Sequence, residues 1–344
     1  MSVLIINQGW TDNLGDIAIG EVLEKQMESF QPILIPFAPI EMATTGGPVR
    51  KILRLYQLDY RYKKNISATL DTINTPIKAA IIGGGELLAS NANFNSAMKI
   101  WTRELQRRKI PILLLGVGGG NVNRLYAFRY AISLKRARMV CVRDNNSQHI
   151  VNTHYGVNAL YYPDVVFTYG NMLNVRSKKL QRSKHRIMVN VLSFDEYKRR
   201  NKHESMDEYL QKWKKLIDEE MSEDTDIVFS ATTCEDRDIT QKLVETYFSG
   251  HADISFPETL EEFGAQLENV DCIITGRMHA MILALQKNVK CVPFIWRDKI
   301  EVFNEEYLCS SYDINSVVRD AQEGIDIVKH LIEKSELCNT SDSN

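Results

Sequence analysis

The sequence predicts an α/β protein made of two doubly wound, Rossmann-like lobes that face a cleft. Its 344 residues exceed the usual size of one hydrophobic core, which favours two domains. Short apolar runs alternate with longer amphipathic segments, and this alternation stops once, at residues 171–186, before it starts again. Two series of strands joined by helical crossovers give two parallel sheets, because tight turns cannot join parallel strands.

The first lobe is predicted over residues 1–170. Its apolar runs are continuous, as is typical of strands buried on both faces of a parallel sheet. The predicted strands are residues 3–6, 79–82, 112–117, 139–142 and 159–162. A helix is predicted over residues 15–30, where Ile19, Leu23 and Met27 recur at helical spacing.

The second lobe is predicted over residues 187–334. Residues 171–186 before it are polar and basic, a composition typical of a linker or an exposed crossover. The predicted strands are residues 187–192, 226–229, 271–275 and 289–295, with helices at 206–221 and 240–248 between them. Residues 335–344 are predicted to be a flexible tail.

Composition narrows the classes of function. The formal net charge is −2, so the overall charge does not indicate a nucleic-acid partner. No apolar run approaches the roughly 20 residues of a membrane-spanning helix, and no basic leader precedes the first strand, so we expect a cytoplasmic location. The six cysteines stand singly, and Cys141, Cys272 and Cys291 lie in strand-like runs, which favours reduced thiols over disulfides or a metal site.

The carboxyl ends of the strands are the candidate sites, because ligands of parallel sheets collect there. After the first strand, Asn13 and Asp16 stand at the start of a helix, whose free N–H groups favour an anion or an acceptor oxygen. The alternative is that both residues only cap the helix, and the local pattern does not separate the two roles.

Two glycine turns and an arginine follow other strands. Gly83-Gly84-Gly85-Glu86 and residues 116–120 match neither the dinucleotide fingerprint nor a P-loop, so tight turning is the favoured role and neither nicotinamide nor ATP is expected. Arg143 has the geometry to grip a phosphate or a carboxylate. Equally, an ion pair of Arg143 with Asp144 or Asp164 would stiffen the lobe.

The sharpest signal is Gly276-Arg277-Met278-His279, which follows the predicted strand at 271–275. Arg277 and His279 enter the first turn of an apolar helix. A fixed cation, a titratable imidazole and helix N–H groups therefore converge at one strand end, as a candidate anion site with its own proton donor. Single histidines are usually structural, but the nearby Arg277 favours a functional role for His279.

These segments, in this order, resemble the polysaccharide pyruvyl transferase family over residues 3–305. The matching segments are Asn13-Leu14-Gly15-Asp16, Gly83-Gly84-Gly85, the turn at 116–120, Arg143-Asp144, Pro163-Asp164, Gly276-Arg277-Met278-His279 and Lys299. Each motif alone is weak, whereas their order and spacing are specific. Two departures, Glu86 after the triple glycine and Trp296-Arg297-Asp298 before Lys299, concern the acceptor more than the donor.

The resemblance implies the two-lobed architecture of GT-B glycosyltransferases, with phosphoenolpyruvate as donor substrate and no cofactor. The product carries pyruvate as a cyclic ketal on two hydroxyls of one sugar, of galactose type, in a capsule or exopolysaccharide precursor. Arg277 and His279 match the donor-binding arginine and the proton-donating histidine of the family. Gly276, Lys299 and Arg143 are assigned to the donor with them.

The chemistry agrees with these assignments. Phosphoenolpyruvate carries a phosphate and a carboxylate, which two arginines and a helix N-terminus can neutralise and orient. His279 is the candidate acid. Asp16, or else Glu86 or Asp164, is the candidate base, and these three residues and Asn13 are assigned to the acceptor.

Residues 49–64 interleave basic and aromatic side chains and point to the source of the acceptor. Such interleaving suits docking on an anionic membrane, as a lipid-linked sugar at the inner face of the membrane would require. The alternative, which is slightly favoured, is a helix that packs on the first lobe.

Two other functions are weighed against this one. A nucleotide-sugar glycosyltransferase of GT-B type would use Arg277 on a diphosphate and Glu258 or Glu262 on a ribose. A non-catalytic carbohydrate-binding protein is the second alternative, and the presence of both Arg277 and His279 counts against it.

Overall fold

The computed structural model describes residues 1–39, 48–172, 184–250, 252–309 and 313–340, with the side chains of 48–52, 171–172 and 335–340 excepted. The strands form two parallel sheets of six and five strands. The predicted α/β class with two parallel sheets is thereby confirmed.

The first sheet has the order β2-β1-β3-β4-β5-β6 and the second the order β11-β10-β7-β8-β9. The strands are β1 (Ser2–Asn7), β2 (Pro32–Pro36), β3 (Ile77–Gly83), β4 (Ile112–Val117), β5 (Met139–Val142), β6 (Leu160–Tyr161), β7 (His185–Asn190), β8 (Thr225–Ser230), β9 (Asp253–Ile254), β10 (Cys272–Thr275) and β11 (Lys290–Pro293). Sequence reasoning missed β2 and β9, each of which lies at one edge of its sheet.

Helices cover these sheets and connect successive strands. They are α1 (Leu14–Gln26), α2 (Pro48–Asp71), α3 (Ala92–Arg107), α4 (Arg124–Leu134), α5 (Asn145–His154), α6 (Tyr169–Met172), α7 (Phe194–Lys198), α8 (Met206–Glu220), α9 (Cys234–Tyr247), α10 (Leu260–Leu267), α11 (Met278–Gln286), α12 (Asp298–Phe303) and α13 (Ile314–Thr340). Among the described helices, none combines the length and apolar character needed to span a lipid bilayer.

The central strands are buried throughout. Every residue of β1, β4, β5 and β10 is inaccessible to solvent or nearly so, as the continuous apolar runs predicted. Cys141 and Cys272 lie in these strands as free thiols, and burial raises the pKa to about 11 for Cys141 and about 12 for Cys272. Both cysteines are therefore packing residues.

Packing divides the chain into two compact units whose boundaries differ from the predicted ones. Thr11–Ala18 belongs to the second unit with Val166–Val317, and the chain from Val318 onward belongs to the first. The reason lies in long-range contacts. The Leu14 N–H donates to the Thr232 carbonyl oxygen at 3.0 Å, and Gln26 donates to Gln322 of α13 at 3.0 Å.

The predicted linker and the predicted tail are described only in part. Of the predicted linker at 171–186, residues 173–183 lie outside the described residues. The tail predicted at 335–344 is helical through Thr340, because α13 continues that far, and residues 341–344 lie outside the described part.

Candidate functional site

The candidate site lies at the carboxyl ends of β8, β7 and β10 in the second unit. Thr275 ends β10 and lies opposite Asn190, the last residue of β7. The Thr275 hydroxyl donates to the Asn190 side-chain oxygen at 2.8 Å and accepts the Arg277 N–H at 3.0 Å. These two bonds fix the turn at Gly276 and direct the chain into α11.

Arg277 is held by two carboxylates. Its Nε and Nη2 donate to the two oxygens of Asp236 at 3.0 and 2.6 Å, and its Nη1 donates to Glu196 at 2.6 Å. Burial alone would lower the pKa of the guanidinium, but the charges of Asp236 and Glu196 outweigh it and raise the pKa above its ordinary value. Arg277 is thus a permanent cation held between two carboxylates.

One loop positions both carboxylates. The Ser193 N–H donates to the fully buried Asp236 at 2.7 Å, while the Ser193 hydroxyl caps α7 by accepting the Glu196 N–H at 3.2 Å. Ser193-x-x-Glu196 has the spacing of a capping box, in which the glutamate side chain returns to the serine N–H. Here Asp236 takes that N–H, and the Glu196 side chain reaches Arg277 instead.

His279 packs directly against Gly15. A Cβ atom placed on Gly15 would lie 2.3 Å from the imidazole Nδ1, which is far too close for any side chain. The segment that carries Gly15 is fixed by the Leu14 bond to Thr232 and by Asp12, whose carboxylate accepts the Cys234 N–H at 2.6 Å. That bond lowers the pKa of Asp12. Only a glycine at position 15 therefore leaves room for the imidazole in this position.

These groups surround a small pocket of about 40 Å³. Its polar walls are the first turn of α11, Lys299 and Glu196. Trp296 closes one side, since its indole N–H donates to the Gly276 carbonyl oxygen at 3.0 Å. The full lining is Asn13, Leu14, Gly15, Glu196, Thr232, Phe263, Gly276, Arg277, Met278, His279, Ala280, Leu283, Trp296 and Lys299. The space holds roughly three water molecules, so it suits a group the size of a carboxylate.

The structure brings together five of the residues predicted for the site. They are Asn13, Gly276, Arg277, His279 and Lys299. Asp16 is not among the lining residues; its carboxylate accepts a bond from the Asn13 side chain at 3.2 Å, and Asn13 in turn accepts the Gly15 N–H. These bonds match the capping interpretation, and the predicted role of Asp16 as a base stays a prediction.

The remaining predicted residues cluster in the first unit. Arg143 is buried, and its Nη1 donates to Asp164 at 3.0 Å, with Asp144 at 3.9 Å. A Cβ atom on Gly118 would lie 2.9 Å from the guanidinium, so the glycine turn makes room for this side chain. The Arg143–Asp164 pair is the structural alternative stated above. The donor role of Arg143 and the acceptor roles of Asp164 and Glu86 stay predictions.

Sequence reasoning missed Glu196 and Asp236. A usable signal exists for Glu196, because Ser193-x-x-Glu196 follows a predicted strand, but that pattern predicts a helix cap rather than an ion pair. Asp236 has no local signal. Within the described residues, no group of histidine, cysteine, aspartate and glutamate side chains has the arrangement of a metal site.

Comparisons with known proteins agree with this architecture. The family model described as polysaccharide pyruvyl transferase matches residues 13–298. The UDP-GlcNAc 2-epimerase of Neisseria meningitidis, solved with UDP-GlcNAc, is similar with a TM-score of 0.55 at 10% identity, over 97% of this chain and 100% of that one. The Methanocaldococcus jannaschii enzyme, in complex with UDP-GlcNAc and UDP, gives 0.55 at 12% identity, over 96% and 98%. Among curated proteins, none matches the chain. The structural similarity identifies the fold as the GT-B type.

Proposed function

Because the chain belongs to the polysaccharide pyruvyl transferase family, we propose that it transfers the pyruvyl group of phosphoenolpyruvate to a sugar as a cyclic ketal. The acceptor is a galactose-type sugar of a capsule or exopolysaccharide precursor. The observation that carries the proposal is the pocket, in which His279, Lys299 and the N-terminus of α11 share one small polar space with the fixed guanidinium of Arg277.

The donor enters by its carboxylate. Phosphoenolpyruvate is a small dianion or trianion, and the N–H groups at the start of α11 together with the Lys299 ammonium favour a negative group in the pocket. A carboxylate matches the available volume, whereas the whole donor does not. The phosphate therefore stays outside the described pocket.

Arg277 contributes one edge of its guanidinium. Asp236 occupies Nε and Nη2 and fixes the plane of the group, whereas Nη1 faces Glu196 at the pocket wall. In the proposed complex, the donor carboxylate takes the place of the Glu196 carboxylate at Nη1. The exchange replaces one charge-assisted bond by another, so its net effect on affinity is small.

His279 supplies the proton. Protonation of the donor methylene carbon leaves an electrophilic carbon that carries the methyl, carboxylate and phosphate groups, and one sugar hydroxyl attacks it and loses its proton to a base. Inorganic phosphate then leaves, and the neighbouring hydroxyl attacks, loses its proton and closes the ketal. Asp16, Glu86 and Asp164 are the candidate bases. Gly15 leaves room for the imidazole at the wall of the pocket.

The acceptor is lipid-linked and lies at the inner face of the membrane in this proposal. The stretch at 49–64 provides the peripheral contact; the side chains of 48–52 lie outside the described residues, and those from Leu53 onward are described. A cytoplasmic location follows from the use of phosphoenolpyruvate as donor.

Phosphate release tests the proposal directly. The purified protein is incubated with phosphoenolpyruvate and a screen of galactosides and lipid-linked galactosides, and both free phosphate and the mass of the sugar product are followed. We expect stoichiometric release of phosphate with addition of one pyruvate, less one water, to the acceptor. Phosphate release without a pyruvylated product, or binding of donor without turnover, would contradict the proposal.

The nucleotide-sugar alternative has less support. Glu262, one of the two glutamates predicted to hold a ribose, accepts the N–H of the other, Glu258, at 2.7 Å, so its carboxylate serves the start of α10. UDP-galactose and UDP-GlcNAc in the same assay, with release of UDP as readout, distinguish the two reactions. The third function, carbohydrate binding without catalysis, would give acceptor binding and no product with any donor.

A further inference from the structure

Two helices of the first unit expose apolar stripes. On α2, Leu53, Tyr56 and Tyr60 are 58%, 75% and 66% exposed. On α4, three apolar residues have the same spacing; Leu125, Phe128 and Ile132 are 43%, 64% and 38% exposed. Residues separated by three and seven positions share one face of a helix. Each helix thus turns an apolar stripe to solvent in addition to its buried face.

The two helices that carry the stripes are neighbours. Both helices pack against α3, and an ion pair joins them directly, with Arg129 Nη2 of α4 and Asp59 Oδ1 of α2 at 2.7 Å. Lys99 of α3 reaches the same carboxylate at 2.6 Å. Although burial acts to raise it, these two cations hold the pKa of Asp59 below its usual value. The helices are therefore fixed to one another across α3 at neutral pH.

Positive charge is concentrated on and next to these two helices. The chain as a whole has a formal net charge of −2. Segments 53–71 and 124–138 nevertheless carry only two acidic residues, Asp59 and Asp71, and Asp71 is paired with Arg108 at 2.6 Å. The basic residues of the two segments are Arg54, Arg61, Lys63, Lys64, Arg124, Arg129, Lys135, Arg136 and Arg138.

We propose that the α2–α4 face, defined by the two stripes and these basic residues, docks on an anionic membrane. Tyrosine, phenylalanine and leucine side chains partition into the headgroup region, while lysine and arginine contact the anionic headgroups. The two stripes and the basic residues of the same segments together supply the apolar and cationic contacts that an anionic membrane surface accepts. The face extends the contact expected at 49–64 to a second helix, and it acts independently of the chemistry at His279.

Co-sedimentation with lipid vesicles tests the proposal without any substrate. The full chain is mixed with vesicles of phosphatidylcholine alone or with added phosphatidylglycerol. We expect retention on the anionic vesicles only, with loss at high salt because the charge is screened. Each Lys or Arg near such a surface strengthens binding roughly fivefold, so Arg61→Glu, Lys63→Glu and Lys64→Glu together should weaken it by about a hundredfold or more.

A second triple variant separates insertion from charge. Tyr56→Ser, Tyr60→Ser and Phe128→Ser should weaken vesicle binding at least about tenfold while leaving the positive charge intact. The matched control reverses the charge of three exposed lysines of the second unit, Lys202→Glu, Lys215→Glu and Lys242→Glu. It changes the net charge as much as the Arg61, Lys63 and Lys64 variant does. More of the control protein than of that variant should be retained on anionic vesicles. Circular dichroism of all three variants verifies the fold.

Three outcomes would overturn the proposal. The first is equal retention on neutral and anionic vesicles or on neither. The second is a control triple that loses binding as fully as the α2–α4 charge variant, since that reflects net charge alone. The third is self-association in sedimentation velocity that the Tyr56, Tyr60 and Phe128 variant abolishes in the absence of vesicle binding, because the face would then be covered by a second copy.

Discussion

Arg277 in the second unit and Arg143 in the first unit have the same local setting and different surroundings. Both follow the end of a parallel strand, and both pair with a buried aspartate, Asp236 and Asp164 respectively. The Arg143 side chain is 3% exposed, whereas that of Arg277 is 14% exposed and forms part of a pocket wall. A strand-end arginine is therefore a signal for a buried ion pair first, and for a site only where a cavity and a proton donor adjoin it.

The largest expected effect is the loss of activity on removal of His279, the candidate proton donor beside Arg277. His279→Ala should lower kcat for ketal formation by about a thousandfold, within the usual range for loss of a general acid, with little change in thermal stability. His149→Ala on α5, an exposed histidine of the first unit, is the control. Wild-type turnover in the His279 variant would remove the acid role. The measurement is product formation under saturating donor, with the melting temperature recorded in parallel.

Neutralising the two aspartates compares the clusters directly. Asp236→Asn and Asp164→Asn should each lower the free energy of unfolding by about 3 kcal/mol, because each leaves a buried guanidinium short of its counter-ion. Urea denaturation measures this loss. The KM for phosphoenolpyruvate should rise in Asp236→Asn only. A rise of similar size in Asp164→Asn would assign Arg143 to the donor and remove the contrast between the clusters.

Gly15→Ala tests the position of the imidazole without changing its chemistry. The added methyl would overlap His279, so the ring must move and kcat should fall by about tenfold or more. The control is Gly264→Ala on α10, where the nearest neighbour of a new Cβ is 3.7 Å away, an ordinary contact. Equal activity in the two variants would show that the contact with Gly15 does not control catalysis.

Glu196→Gln should have the smallest effect. The neutral amide competes less well than a carboxylate for Nη1 of Arg277, so the KM for phosphoenolpyruvate should fall severalfold while kcat changes little. Glu204→Gln, which alters the carboxylate next to Lys212 in the same unit, is the control. An increase in the KM of the Glu196 variant would mean that Glu196 supports donor binding rather than competing with it.

Much of the fold is predictable because the buried parallel strands have uninterrupted apolar sequences. β1, β3, β4, β5, β7, β8 and β10 all correspond to such runs. β2 and β9 escaped prediction for a physical reason. β2 begins and ends with proline and is only half-buried, and β9 consists of two exposed residues, so neither carries the signal of a core strand.

The residues of the candidate site also divide into those that could be predicted from the sequence and those that could not. Gly276, Arg277 and His279 are adjacent in sequence and follow a strong strand signal, so they could be singled out. Glu196 and Asp236 lie 81 and 41 positions from Arg277, and only the parallel order of β8, β7 and β10 brings them together. The same holds for the assignment of Thr11–Ala18, whose bonds to Thr232 and Cys234 join residues more than 200 positions apart.

The hydrogen bond from the Ser193 N–H to Asp236 decides which partner the Glu196 side chain takes, Arg277 or the Ser193 N–H itself. At Ser205, where no such aspartate intervenes, Glu208 returns to the serine N–H at 2.7 Å and closes an ordinary capping box. The Ser193 turn would allow the same closure once its N–H became available, so a change at Asp236 would withdraw both carboxylates from Arg277 together. The placement of both carboxylates around Arg277 consequently depends on Ser193, whose N–H binds Asp236 and whose hydroxyl caps the turn that carries Glu196.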